Sequence, residues 1–73
     1  MNECLEIKFH IDREVLENLE YTETEIKEII MRYPFSEFTM NEFKILTLDY
    51  KEQIKVLPYF DIFNTLIISV SYF

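Results

Sequence analysis

Over residues 4–11 apolar and polar side chains alternate without a break, with Leu5, Ile7, Phe9 and Ile11 on one side and Cys4, Glu6, Lys8 and His10 on the other. A period of two predicts a half-buried strand. Asp12 then offers a helix N-cap, and in residues 13–21 Val15, Leu16 and Leu19 share one side of a short helix while Glu14, Glu17 and Glu20 take the other. A second helix begins at Thr22 or Thr24. Thr22 and Glu25 have capping-box spacing, and Ile26, Ile29, Ile30 and Tyr33 recur at the intervals of one helical face. Glu23 with Lys27 and Glu28 with Arg32 form i, i+4 pairs of favourable orientation, each worth about 0.2–0.5 kcal/mol. Pro34 ends the helix, because it lacks an amide hydrogen and disfavours helical geometry at Tyr33.

Residues 40–57 support two readings. Phe43, Ile45 and Thr47 alternate with Lys44, Leu46 and Leu48, and Ile54 and Val56 with Lys55 and Leu57, which predicts a hairpin turning at residues 49–52. Thr39 and Glu42 repeat the capping-box spacing, however, and Met40, Phe43, Leu46, Tyr50, Ile54 and Leu57 would also line one helical face. The hairpin is preferred, although tight turns favour residues that tolerate positive φ and the chain has no glycine. Residues 66–73 alternate again and predict a last strand. The pattern as a whole predicts one α+β domain over residues 1–73: strand, helix, helix and then an antiparallel β meander, with both helices on one sheet face.

Composition narrows the chemistry. A chain of 73 residues buries only about 60–65 % of its unfolded surface, so support from a partner or a second copy is expected. An apolar strand at each end of the chain offers edges for such pairing, and a symmetric homodimer is expected. The single Cys4 excludes an internal disulfide, and one Cys with one His cannot build a structural zinc site. On a regular strand Cys4 and His10 would lie about 20 Å apart, too far for a nucleophile and its base. Without glycine no phosphate-cradling loop forms. No enzyme activity, cofactor or metal is therefore expected. Two early acids, Glu3 and Glu6, do not resemble a secretion signal, and polar residues interrupt the apolar tail, so the expected location is the cytoplasm. Anionic lipid would repel the chain. Alanine is absent too, and proline and arginine occur twice each. All of these use GC-rich codons, which points to an AT-rich source such as a phage or another mobile element.

The net charge of −7 is laid down unevenly. Residues 1–42 hold eleven acids and four bases, whereas residues 43–73 hold three of each. Glu14, Glu17, Glu20, Glu23, Glu25 and Glu28 cluster on the predicted helical faces, and Phe35 and Phe38 follow beside Pro34. Carboxylates in that density aid solubility, and they also present an acidic surface that steers association with a basic partner, as a nucleic-acid mimic does. The expected function is a non-catalytic acidic inhibitor, phage- or mobile-element-encoded, that blocks a basic nuclease or defence complex. The six glutamates and the two phenylalanines are the candidate contacts, with no direct binding to nucleic acid or membrane. Should the acidic face prove only a solubility device, the neutral half around Tyr59, Phe60 and Phe63 is the next place to look.

The alternative rests on element order. A strand over residues 5–11, a helix opening Asp12-Arg13-Glu14-Val15-Leu16 and a second helix with Ile26, Ile29 and Ile30 resemble the ribbon-helix-helix family. That resemblance implies a homodimeric regulator or antitoxin whose paired strands enter the major groove with Glu6, Lys8 and His10. The sequence departs from the family in its short first helix, the missing inter-helix glycine and an acid among the three groove-facing residues. Strongly negative charge also opposes phosphate binding.

Overall fold

A computed structural model describes residues 6–48 and 52–72. The elements are β1 (Ile7–Ile11), α1 (Arg13–Asn18), α2 (Glu23–Met31), a 3-10 turn (Phe35–Glu37), β2 (Lys44–Leu48), β3 (Glu52–Phe60) and β4 (Leu66–Tyr72). They form the expected α+β domain. The strands β2, β3 and β4 build an antiparallel meander, with Leu46 opposite Ile54 and Val56 opposite Val70. β1 joins β4 in parallel, Phe9 opposite Ile68, which makes the sheet mixed with strand order β1-β4-β3-β2. This order corrects one expectation. The C-terminal strand is not an edge, since β4 is paired on both sides; the edges are β1 and β2. Cys4, Leu5, the expected turn residues 49–51 and Phe73 lie outside the described residues.

Because β1 and β2 occupy opposite edges, the chain has to cross the sheet between them, and α1 and α2 make that crossing. Their buried Val15, Leu19, Ile26 and Ile30 close on Leu46, Ile54, Val56, Ile68 and Val70 in one core, so both helices lie on one sheet face. Asp12 caps α1 by accepting from the Glu14 amide at 3.4 Å. The helix is shorter than its pattern predicts. Leu19 leaves it in an extended conformation while its N–H still donates to the Val15 carbonyl, so the buried Leu19 ends α1 and Glu20 falls in the connection. α2 starts at the reciprocal capping box: the Glu25 amide donates to Thr22 Oγ1 and the Thr22 amide to Glu25 Oε1.

The choice between hairpin and helix at residues 40–57 is decided by Asn41. Its φ of 66° cannot continue a right-handed helix. The Thr39–Glu42 spacing instead closes a turn, the Glu42 amide donating to the Thr39 carbonyl at 3.1 Å. Asn41 and Asn64, with φ of 61°, adopt the left-handed geometry that glycine usually supplies. β3 runs through Pro58, which is buried and opposite Ile68. Strand amide and carbonyl groups of one residue point the same way, and the Pro58 carbonyl accepts from Asn41 on the β2 side at 2.8 Å. The missing N–H therefore faces the space beyond the end of β2, where no ladder bond is lost.

Tyr72 lies on the core side of β4, opposite Ile54. Its phenol is raised above the ordinary value of 10.0, first by partial burial and then by the Glu52 and Glu14 carboxylates. The unfolded chain ionises first, so stability falls as pH climbs from about 10 through the folded value. Denaturant titrations at pH 9 and pH 11 are expected to show a smaller alkaline loss in Tyr72→Phe than in the native chain.

Candidate functional site

The layer formed by residues 12–33 carries the acids and exposes them. Glu14, Glu17, Glu20, Glu23, Glu25 and Glu28 are all solvent-exposed. Two ion pairs draw on them: Arg13 to Glu17 at 3.9 Å and Lys27 to Glu23 at 3.4 Å. The second is the pair the spacing predicts. The predicted Glu28–Arg32 pair does not form, and Lys27 also reaches over the Phe9 ring at 5.6 Å. Glu25 is engaged in the capping box. Among the described residues the Glu14, Glu20 and Glu28 side chains thus have no cationic partner, and they are distributed along the layer from α1 through the connection to α2. Glu23 and Glu25 occupy the first turn of α2, where negative charge favours the helix dipole.

The aromatic candidates are placed differently. Phe35 opens the 3-10 turn. Phe38 is partly buried against the core, edge-on to Tyr33 with centroids 6.3 Å apart, and Lys44 lies 6.0 Å from its centre. Phe38 is thus tied to the fold as well as available at its rim. Beside it a surface depression of about 440 Å³ is lined by Tyr21, Ile29, Arg32, Tyr33 and Glu37.

Among the described residues no helix covers the opposite sheet face. This face holds His10, which lines a depression of about 460 Å³ together with Asp12, Ser69 and Ser71. No hydrogen bond joins His10 to either serine or to Asp12, whose carboxylate serves α1. At one end of this face the β3–β4 loop exposes Ile62 (91 %) and Phe63 (80 %). The loop is braced by Asp61: its Oδ1 accepts from the amides of Phe63 (2.8 Å) and Thr65 (2.9 Å), and its backbone bonds Asn64 and Thr65. Phe63 belongs to the neutral half that the sequence marks as the next place to look, whereas Ile62, the more exposed of the two, is not singled out there. The signal for the tip was the Asp61-x-x-Asn64 spacing, an Asx turn followed by a left-handed asparagine.

Among the described residues no group of three or more His, Cys, Asp or Glu could hold a metal ion, and no helix is long and apolar enough to cross a membrane. No family model, characterised protein or solved structure matches the chain.

Proposed function

We propose that this chain is a non-catalytic acidic binding protein that blocks a basic, nucleic-acid-handling partner through the α1–α2 layer. The observation that carries the reading is the set of exposed carboxylates at Glu14, Glu20 and Glu28, which have no cationic partner among the described residues and flank the paired Glu17 and Glu23. Such a field speeds encounter with a positive surface and weakens as salt rises. Phe38 supplies apolar contact beside it, and Phe35 is kept as a candidate contact from the sequence. The analogy to phage-encoded inhibitors of nucleases or defence complexes rests on size, acidity and codon usage, and cytoplasmic location follows from that role.

The test is a pull-down from cells carrying the chain, with native protein and the Glu17/Glu20/Glu23/Glu28→Lys variant side by side. The native protein is expected to retain a basic protein that salt elutes and the variant loses. Retention by both would refute the reading.

The ribbon-helix-helix alternative gains less from the geometry. Four strands at about 4.8 Å spacing put the outer pair about 14 Å apart, wider than the about 12 Å major groove that admits a two-stranded ribbon. No salt-sensitive binding to a short duplex is expected. A homodimer remains part of the proposal, now through β1. Antiparallel pairing of two β1 edges about a two-fold axis normal to the sheet would place both acidic layers on the same side and double their field. Light scattering at micromolar concentration should give twice the chain mass; one chain mass at every concentration would remove this element.

A further inference from the structure

The sheet face away from the helices is locally less acidic than the chain as a whole. Its ladder positions include Lys8 and Lys55 and no carboxylate, in a protein of net charge −7. Glu6 and Glu42 lie only at its margins, just before β1 and β2. Between the lysines run half-exposed apolar side chains, with Ile45 beside Lys55, Leu57 beside Ser69, and Tyr59 opposite Ile67. Phe43 extends this surface, and Lys55 lies 5.5 Å from its ring centre. The Tyr59–Ile67 rung is the last on this face before the β3–β4 loop, which exposes Ile62 and Phe63 at the same end of the sheet.

Single exposed hydrophobes are ordinary on a soluble surface, but an apolar stripe with a two-residue apolar tip at the same end of the sheet marks an interaction site. The tip is also preorganised. Asp61 fixes the loop backbone, so docking Ile62 and Phe63 costs little ordering entropy.

We propose that the open sheet face and the Ile62–Phe63 tip form a docking surface for an acidic amphipathic protein segment, whose apolar side chains pack on Tyr59, Ile67 and Phe63 while its carboxylates meet Lys8 and Lys55. Charge selects this occupant. Two open faces brought together would oppose lysine to lysine, which argues against a second copy seated face to face. The acidic layer of a second copy matches in charge but exposes few large hydrophobes, Met31 among them, and would leave the tip unburied. An anionic bilayer or a nucleic acid presents extended charge that would also meet the carboxylates of the chain's acidic half, whereas a short segment meets only this face. This surface is separate from the acidic layer, and its test is independent of that layer's partner.

The probe is a synthetic helical peptide with a leucine stripe flanked by glutamates, titrated into isotope-labelled full-length protein and followed by amide chemical shifts and fluorescence anisotropy. Shifts are expected at Tyr59, Ile62, Phe63 and Ile67 and not along α1 or α2. A lysine-flanked counterpart and the Lys8→Glu/Lys55→Glu variant should each bind about tenfold more weakly. Phe63→Ser, which keeps its fold because the ring is exposed, should lose about thirtyfold in affinity. The proposal is overturned if the glutamate-flanked peptide does not bind, if the lysine-flanked one binds equally well, or if Phe63→Ser binds as the native chain does. It is equally overturned if zwitterionic vesicles or a single-stranded oligonucleotide shift these residues and the peptide does not.

Discussion

Ile26→Ala is expected to destabilise the domain by about 2–5 kcal/mol. Ile26 is fully buried beneath α2, where its side chain helps join the helical layer to the sheet. Deleting its outer carbons removes apolar burial and leaves a cavity that a short helix between two connections can fill only in part. For a domain of this size each kcal/mol shifts the melting temperature by about 4–8 °C. Total stability is only about 0.05–0.15 kcal/mol per residue, so the change removes a large share of it. Thr22→Ala, which deletes the α2 cap, should cost about 1 kcal/mol. The exposed Thr24→Ala should stay within about 0.5 kcal/mol. Thermal melts of the three variants test the order; an Ile26→Ala melt near that of Thr24→Ala would show that α2 does not anchor the layer.

Replacing Glu17, Glu20, Glu23 and Glu28 by Lys is expected to slow association with the basic partner by between about 10-fold and 1,000-fold at low salt, and less as salt rises. Four reversals take the chain from −7 to about +1 and turn the layer's field from attractive to repulsive. All four side chains are exposed, so the fold should persist. The losses are the two i, i+4 pairs at about 0.2–0.5 kcal/mol each and a charge at the start of α2 that opposes the helix dipole. Stopped-flow association and parallel melts separate the two effects. The set of Glu→Gln changes at the same positions should give an intermediate rate with a smaller loss of stability.

Much of this architecture is legible in the sequence because local signals and burial agree. The alternation of Ile7, Phe9 and Ile11, the Thr22–Glu25 box and the Ile26–Ile30 stripe all specify the elements that form. The partner of β1 is not legible, since an alternating edge strand reads the same beside a parallel or an antiparallel neighbour. The length of β3 is hidden by Pro58, whose harm to a strand depends on which side its missing amide faces. Without glycine, the turns must be read from Asn41 and Asn64, and asparagine also occurs where no turn is needed. For the site, exposure of the glutamates follows from their helical spacing, but which of them find cations depends on rotamers: Lys27 serves both Glu23 and Phe9, while Glu28 lacks the pair its spacing offers. The uncovered sheet face required strand order, which no local pattern encodes.

The most direct test of the acidic layer is zero-length carbodiimide cross-linking of the native complex, because that chemistry joins carboxylates to amines only in contact. The predicted result is cross-links from Glu14, Glu17, Glu20, Glu23 or Glu28 to lysines of the partner. Cross-links confined to carboxylates outside the layer, such as Glu6, Glu52 or Asp61, would contradict it.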